Sequence, residues 1–277
     1  MIDPRIVRLG IEVGGNIKWY EDLAIYAKGV KFTSPNQGQA TITILNINKA
    51  TREYLMRVAN PFNRSEVKKS VILEVGRESY GTTTLYTGDI FRVAPTQKPD
   101  LGIVIRCVTG QFNKGRIIST SAPATSKLSS IAAGVASANS LGMSFEVTDR
   151  NIANYSFTGS PDAQIKKLAE LASADVYQDN GILYVKPVGI PKTGATIRVL
   201  NKKTGMVGIP EGTENGVKVT MLFDPVTQVG SQIDLESEIN PVLNGSYCVY
   251  KLDFDISNNI PEETSPFYLI AEANRIQ

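Results

Sequence analysis

The sequence predicts a β-rich α+β fold, with two β-barrel or β-sandwich domains and a small α+β domain between them. Runs of alternating apolar and polar residues, the pattern of half-buried strands, fill the first and last thirds of the 277 residues. Turn residues separate these runs at intervals of about ten residues. The middle of the chain instead carries apolar residues at helical spacing. The predicted domains are 1–112, 113–192 and 193–277.

The first segment is predicted to form a sheet or barrel that carries one helix. Its strands include IVRLGIEV, QATITILNI, SVILEVGRES, TTLYTGDIFRVAP and LGIVIRCVTG. The helix is predicted in NKATREYLMRVANP, where Asn48 can act as the N-cap and Asn60-Pro61 can stop the helix.

The middle segment is predicted to contain two helices and a hairpin. The Ala- and Ser-rich stretch 123–142 places Leu128, Ile131 and Val135 on one helical face. The stretch 160–176 begins with Ser160 as a candidate N-cap and Pro161 in the first turn. Asp179-Asn180-Gly181 then marks a tight turn between two strands.

The last segment returns to short strands and predicts a second barrel or sandwich. These strands are TIRVLN, GVKVTMLF, SQIDLES, GSYCVYKLDFDIS and PFYLIAEANRI. Turn signals such as Asn215-Gly216 and Asn244-Gly245 separate them.

The composition predicts a globular chain and argues against enzymes that depend on histidine, although catalysis by carboxylates or lysine stays open. Hydrophobic residues make up 42% and charged residues 20% of the chain, and no apolar run is long enough to cross a membrane. Histidine is absent, which removes the commonest general base and every His-based triad. The two cysteines, Cys107 and Cys248, are too few for the usual zinc sites. Both lie in strand-like runs and are expected to be buried free thiols, although a disulfide between them stays open.

Charge is distributed unevenly along the chain. Residues 1–120 contain 17 Lys and Arg against 10 Asp and Glu, whereas residues 201–277 contain 5 against 11. Such a molecule could stack its basic part on an acidic part, or present an acidic wall to an anion that slides past. Simple solvation of these charges is the alternative.

The acidic pairs of the last segment are interpreted as a strand face rather than an active site. Glu236 and Glu238, like Asp253 and Asp255, stand two residues apart and so are expected to project from one face of a strand. A glycosidase needs two carboxylates across a cleft, one of them in an apolar pocket. No nucleotide-binding motif occurs, and we predict no catalytic, cofactor-binding or metal-binding residues. A cell-wall-degrading enzyme that uses a carboxylate pair remains the alternative.

Basic residues near aromatic ones raise single-stranded nucleic-acid binding as a second alternative. The only such features are Lys18-Trp19-Tyr20 and the cluster of Arg64, Lys68 and Lys69. We expect this cluster to contact an acidic protein surface instead.

Three stretches together resemble the first domain of phage tail baseplate hub proteins, the tube-to-spike adaptors of tailed phages and related contractile injection systems. They are ATITILNINKATREYLM, SVILEVGRES and LYTGDIFRVAPTQKPDLGIVIRCVTG, in which Leu85–Ile90 matches the family's L-[FY]-x-G-x-I strand. A second pattern resembles the family's other tube-forming domain. It is carried by Gly208, Pro210, Thr213, Gly216, Val217, Val219, Leu222, Phe223 and Pro225, and by Asn244, Gly245, Tyr247, Val249 and Leu252.

The resemblance implies a non-enzymatic structural protein of the virion tail baseplate, assembled in the host bacterial cytoplasm. It implies two tail-tube-like β domains per chain and a homotrimer that forms a pseudo-sixfold ring. This ring would join the hexameric tail tube protein to the trimeric central spike protein, beside other baseplate proteins and the tape measure protein. DNA would pass through it without specific binding. The chain ends at Gln277 without a lysozyme or spike domain, so piercing and peptidoglycan cleavage are expected of other chains.

A role for the acidic last segment follows from this expectation. Like charge would keep DNA from adhering to the wall of the passage during ejection. The residues expected to face the lumen are Asp234, Glu236, Glu238, Asp253 and Asp255.

Overall fold

The computed structural model describes residues 3–13, 15–59, 68–97, 100–110, 115–259 and 265–276. The first third of the chain consists of strands and one described helix, α1 (Lys49–Val58). The strands are β1 (Arg5–Val13), β2 (Asn16–Tyr20), β3 (Ile25–Phe32), β4 (Gln39–Leu45), β5 (Lys69–Arg77), β6 (Gly81–Pro95) and β7 (Gly102–Val108).

The middle of the chain combines short strands with two helices, α2 (Leu128–Ala138) and α3 (Pro161–Ala172). The strands are β8 (Ile118–Ser121), β9 (Thr125–Lys127), β10 (Gly142–Phe145), β11 (Asn151–Ala153), β12 (Ser156–Gly159), β13 (Asp175–Asp179) and β14 (Ile182–Lys186).

The last third is again made of strands, with one short 3₁₀ helix at Pro241–Leu243. The strands are β15 (Ile197–Leu200), β16 (Met206–Thr213), β17 (Gly216–Leu222), β18 (Gln232–Leu235), β19 (Gly245–Asn258) and β20 (Phe267–Arg275).

The first and last thirds share one sheet of 13 strands. Its main path runs β16-β17-β20-β19-β3-β4-β7-β6-β5-β1-β2, and β15 joins through β18, which pairs with β19. The junction between the two thirds is the antiparallel β3–β19 pair, whose register runs from Ile25 opposite Asn258 to Phe32 opposite Lys251. Strands far apart in the sequence therefore complete each other's hydrogen bonds.

Two separate sets of buried side chains hold the fold. The larger set includes Leu9, Ile42 and Leu73 from the first third together with Val219 and Leu269 from the last third. The smaller set comes from the middle, where α2 and α3 cover β13 and β14. Burial of apolar surface is the main force that stabilises both of these hydrophobic cores.

The predicted caps of two helices are confirmed. The Asn48 side chain accepts a hydrogen bond from the Thr51 backbone N–H at 2.8 Å, and Ser160 does the same for Ala163 at 3.2 Å. These side chains satisfy amide donors that have no partner within the helix. Helix α1 ends at Val58, and its predicted stop at Asn60-Pro61 lies outside the described residues.

The middle segment shows one confirmed element and one correction. The β13–β14 hairpin turns at Asn180 and Gly181, whose positive φ values of 46° and 80° suit a type I′ turn. The helix expected within 123–142 is shorter, because Thr125–Lys127 forms β9 and pairs with β11. The residues expected on its apolar face, Leu128, Ile131 and Val135, are all buried.

The β-rich α+β class is confirmed, whereas the exact domain boundaries stay a prediction. Cys107 and Cys248 are both buried and free, as expected. Burial raises the pKa of the Cys107 thiol well above its usual range, so this thiol stays protonated. None of the helices in the described ranges is long and apolar enough to cross a membrane.

Candidate assembly interface

The two ends of the main sheet path present strand edges that no other strand of the described residues pairs with. Strand β2 lies at one end, where Asn16–Trp19 is exposed, and β16 lies at the other. In β16 only Pro210 is buried, and the pairing with β17 is irregular between Val207 and Glu211. Edge strands carry free N–H and C=O groups that recruit other chains unless something covers them. Both edges are therefore candidate contacts with another protein chain.

Exposed apolar side chains are frequent in the last third of the chain. They lie on β15, β16, β17 and the stretch that contains the 3₁₀ helix, and are Ile197, Val199, Val207, Ile209, Leu222, Ile239 and Val242. Ile209 is 57% exposed and Val242 is 81% exposed. Apolar surface that is left in water marks sites of protein association when it is concentrated in one region.

Asp253 and Asp255 lie on one face of β19, as the sequence predicts, and alternate with buried Leu252 and Phe254. Both carboxylates face lysines. Asp255 lies 3.7 Å from the Lys28 ammonium, and Asp253 lies 3.3 Å from that of Lys251. This part of the sheet surface is therefore a network of mixed charges and not a purely acidic face.

Glu272, on the neighbouring strand β20, makes this network sensitive to pH. Its carboxylate accepts hydrogen bonds from Lys251 at 2.7 Å and from Tyr250 at 2.8 Å. The bond from Lys251, and to a lesser extent that from Tyr250, lowers the pKa of Glu272 below its ordinary value. The resulting stabilisation is present above the unfolded pKa of about 4.3 and is lost as pH falls through the lower, folded pKa.

We expect E272Q to lower the free energy of unfolding by up to about 1 kcal/mol at neutral pH. The loss should shrink below about pH 4, where the wild-type carboxylate also becomes protonated. Urea unfolding of E272Q and the wild type at neutral pH and below about pH 4 measures the difference in their free energies of unfolding. E238Q, at an exposed glutamate, serves as the matched control and should give nearly the same free energy as the wild type at each pH. An equal loss for E272Q at both pH values would contradict the assignment.

The other three acidic residues occupy a different part of the molecule. Asp234 lies on β18 and accepts a hydrogen bond from Gln232 at 2.8 Å. Glu236 and Glu238 do not lie on a strand face, because β18 ends at Leu235. The expectation that they share a strand face is therefore wrong. Both are exposed, and Glu236 accepts a hydrogen bond from Asn201 at 2.8 Å.

The five acidic residues therefore do not form one cluster. Asp234 pairs with Ser246 on β19, and Asp253 follows seven residues later, about 23 Å away at the usual rise of a strand. Glu236 and Glu238 line a hollow of about 300 Å³ with Lys202 and Lys203. Its polar, exposed lining does not supply the apolar pocket that a carboxylate acid needs for glycoside hydrolysis. In the part of the chain that the structure describes, no group of acidic or cysteine residues could hold a metal ion.

The predicted basic cluster is only partly available for contacts. Lys69 donates a hydrogen bond to the carbonyl of Val58 at 2.6 Å, at the C-terminal end of α1, and burial lowers its pKa. Lys68 is exposed and borders a polar cavity that also contacts Glu12. Arg64 lies outside the described residues.

A buried ion pair that the sequence analysis missed joins the three parts of the chain. The ammonium of Lys31 on β3 lies 2.7 Å from the carboxylate of Asp179 on β13, and both side chains are about 5% exposed. Lys31 also donates to the carbonyl of Leu85 and to the side chain of Gln228, each at 2.9 Å. The sequence did carry a signal, because Lys31 is in phase with buried Ile25 and Ala27 on the alternating strand.

A second buried lysine stabilises the return from the middle segment to the last third. Lys186, at the end of β14, is fully buried and lies 2.9 Å from the carboxylate of Asp175. It also donates to the carbonyl of Ile190 at 2.8 Å. The backbone N–H of Lys192 then bonds to Gly230 at 2.8 Å. The Lys186 contacts fix the end of the middle segment, and the Lys192–Gly230 bond joins it to the last third.

The comparison with known families agrees with this architecture. The sequence profile of a family described as baseplate hub gp41 matches residues 6–273. The chain belongs to the baseplate hub gp41 family. It is thus a structural protein of the phage tail baseplate. No curated protein matches the sequence.

Solved structures share the fold of this baseplate hub protein at low sequence identity. The 43 kDa tail protein of prophage MuSo2 from Shewanella oneidensis has a TM-score of 0.63 and 11% identity, with 97% of this chain and 96% of that chain covered. A tail protein from Neisseria meningitidis MC58 has the same TM-score and coverage at 8% identity. The Escherichia coli c3393 protein, described as a type VI secretion component, has a TM-score of 0.57 and 8% identity, with 96% and 77% covered.

Proposed function

We propose that the protein forms a homotrimeric, pseudo-sixfold ring that joins the hexameric tail tube to the trimeric spike and lets DNA pass on ejection. One observation carries this proposal: the first and last thirds build a single sheet whose main path ends in two separate edge strands, β2 from the first third and β16 from the last. Each chain thus offers two β-rich contact regions, and three chains would offer six. This arrangement suits an adaptor between sixfold and threefold partners.

The edges give the ring a physical mode of closure. Identical chains can associate head to tail, through two different surfaces. Such a contact closes into a ring when the rotation that relates neighbouring chains divides evenly into a full turn. The exposed strand edges and the apolar side chains of β15 and β16 are the surfaces most in need of cover. Burial of Val207 and Ile209 against a neighbouring copy would stabilise such a contact.

Tube and spike proteins are the proposed partners, with other baseplate proteins around them. The family membership supports this role. The E. coli c3393 protein supports it through the fold alone, since its structure is described as similar to the T4 phage tail proteins gp27 and gp5. We also propose that the protein has no catalytic activity. The buried free thiols Cys107 and Cys248 are compatible with assembly in the reducing cytoplasm of a host bacterium.

The passage for DNA is proposed to be lined in part by the acidic residues of the last third. Glu236 and Glu238 are candidates because both are exposed, although Lys202 and Lys203 line the same hollow and offset part of their charge. Asp253 and Asp255 are likewise offset in part, by Lys251 and Lys28. The acidic lining would reduce the phosphate contacts that drive nonspecific DNA binding.

The oligomeric mass in solution tests the proposed ring. Light scattering of the purified protein is expected to give three times the chain mass of 30.1 kDa. If the protein is monomeric, the same measurement after addition of the tube protein and the spike protein should show a ternary complex with three copies of the hub. A stable dimer, or a monomer that binds neither partner, would overturn the proposal.

We expect I209K on β16 to weaken association at least about tenfold, because a desolvated ammonium in an apolar contact costs more than about 1.4 kcal/mol. The stability of the monomer should change by less than about 0.5 kcal/mol, since Ile209 is exposed. V188K, which places the same charge at a position 63% exposed in the middle segment, is the matched control. Equal masses for I209K and the wild type at all concentrations would exclude β16 from the interface.

A further inference from the structure

A large cavity among the described residues opens where several strands of the sheet end together. It has a volume of about 730 Å³, within the usual range for ligand pockets. Its lining includes the first residues of β1 and β20 and the last residues of β4, β5 and β17, which are Arg5, Phe267, Leu45, Arg77 and Leu222. Tyr26 contributes a further aromatic wall. The cavity is thus an aromatic and apolar recess with two guanidinium groups.

The two arginines occupy an unfavourable arrangement. Arg5 and Arg77 are direct cross-strand partners, and like charges at such positions repel each other. Both guanidinium groups pack on the ring of Phe267, at 4.8 Å and 5.1 Å from its centroid. Burial, and secondly the charge of Arg77, lower the pKa of Arg5 from its ordinary value. A bound anion would offset this repulsion.

Neither guanidinium forms an ion pair with a carboxylate of the described residues. Arg5 donates to the carbonyl of Ser265 at 2.9 Å, and Arg77 donates to the backbone carbonyl of Asp3 at 2.7 Å. The Asp3 carboxylate accepts hydrogen bonds from Ser79 instead. Each guanidinium has five N–H donors in a planar fork, which matches a carboxylate in bidentate geometry.

The nearby carboxylate of Asp224 is also already engaged. It accepts hydrogen bonds from the backbone and hydroxyl of Thr227, each at 2.9 Å, and it lies 3.5 Å from Arg198. It therefore gives no direct ion pair to Arg77. The positive charge of the recess is left for a carboxylate from elsewhere.

We propose that this recess docks a partner protein of the tail through a short segment that carries a carboxylate beside an aromatic or apolar side chain. The carboxylate would bind between Arg5 and Arg77, and the apolar group would lie against Tyr26, Leu45 and Leu222. A DNA strand fits the recess less well, because nonspecific DNA binding uses a row of cations along the backbone. The inference rests on the proposed function in that it takes the partner to be a tail protein.

A pair of small probes tests the recognition chemistry without any partner protein. N-acetylphenylalanine carries the carboxylate and the aromatic ring, and N-acetylphenylalanine amide has the same shape without the charge. We expect the acid to bind at least about tenfold more tightly in calorimetric titration, since one charge-assisted bidentate pair contributes more than about 1.4 kcal/mol. Equal affinity of the two probes, or no binding of either, would overturn the proposal.

Variants of the arginines locate the site. R5Q and R77Q should each weaken binding of the acid about tenfold or more, while R77K should lose less because it keeps the charge without the planar fork. Lys28→Gln removes an exposed cation of the same sheet that lies outside the cavity, and it should leave affinity unchanged. Thermal unfolding of each variant confirms that it is folded. Unchanged affinity in folded R5Q and R77Q would contradict the assignment.

Two further measurements separate the rival occupants. In a competition experiment, a decathymidylate oligonucleotide and the amide are each added to the protein with the acid probe bound. Stronger displacement of the acid by the oligonucleotide than by the amide would indicate a nucleic-acid site and overturn the protein assignment. Glu262 and Glu263 precede Ser265 in the sequence, so an E262Q/E263Q variant is also informative. A gain in probe affinity of about tenfold or more would mean that the chain's own carboxylates occupy the site. The mass of the ring is measured separately, so a failure of this docking site is distinguishable from a failure of the trimer.

Discussion

Replacement of Lys31 by methionine is expected to lower the free energy of unfolding by about 3–5 kcal/mol, the usual loss when one partner of a buried ion pair is removed. Methionine is similar in length to lysine, so packing changes little, but the buried carboxylate of Asp179 loses its partner. The acceptors Leu85 and Gln228 lose a donor as well. Thermal unfolding should show a fall of about 2–4 °C for each kcal/mol.

Lys28→Met is the matched control for this prediction. Lys28 lies on the same strand and also faces an aspartate, but its side chain is 67% exposed. We therefore expect a loss of less than about 1 kcal/mol, as for exposed ion pairs in general. The double variant K31M/D179N should lose less than the sum of K31M and D179N, because the two residues interact directly. Similar losses for K31M and K28M would show that the buried pair does not hold the middle segment on the sheet.

The second large effect is expected for Phe254→Ala, at the junction of the first and last thirds. Phe254 is 1% exposed and lies opposite Gly29, where an added Cβ would come within 2.4 Å of its ring. The ring thus fills the space that the glycine leaves, and it also contacts Tyr86 with 5.9 Å between centroids. Its loss should leave a cavity and lower the free energy of unfolding by about 3–5 kcal/mol.

Phe91→Ala provides the comparison, because Phe91 is 42% exposed on β6. The same truncation there should cost less than about 1 kcal/mol, since little buried apolar surface is lost. Denaturant unfolding of both variants gives the two free energies. In addition, hydrogen exchange of β3 and β19 should quicken together in F254A, because each strand protects the other. Protection that is lost in only one of these strands would contradict a shared junction.

Elements that depend on local chemistry were predictable from the sequence. Asn48 and Ser160 cap their helices because a short polar side chain can reach the free amides of the first turn. Asn180-Gly181 forms its hairpin turn because both residues tolerate positive φ. The alternation along β3 carried the information that Lys31 lies on the buried face, but the sequence analysis did not use it. Its partner Asp179 could not be identified, because nothing in the local sequence of either residue specifies a contact across 148 positions.

The acidic residues show where a correct pattern led to an incomplete picture. Asp253 and Asp255 do share a strand face, as their spacing indicates, but that spacing says nothing about Lys28, which reaches Asp255 from another strand. Glu236 and Glu238 have the same spacing, yet the strand ends before them at Leu235. Spacing predicts a common face only as far as the strand continues.

By itself the sequence determined the class of the fold, most of its strands, its helix caps and its resemblance to the hub family, because periodicity, capping and turns act over a few residues. Only the tertiary structure decided that β3 and β19 join the first and last thirds, that Lys31 meets Asp179, and that two arginines share one aromatic recess. Such contacts join residues as distant as Arg5 and Ser265. Their partners are selected by packing of the whole core, which no local pattern encodes.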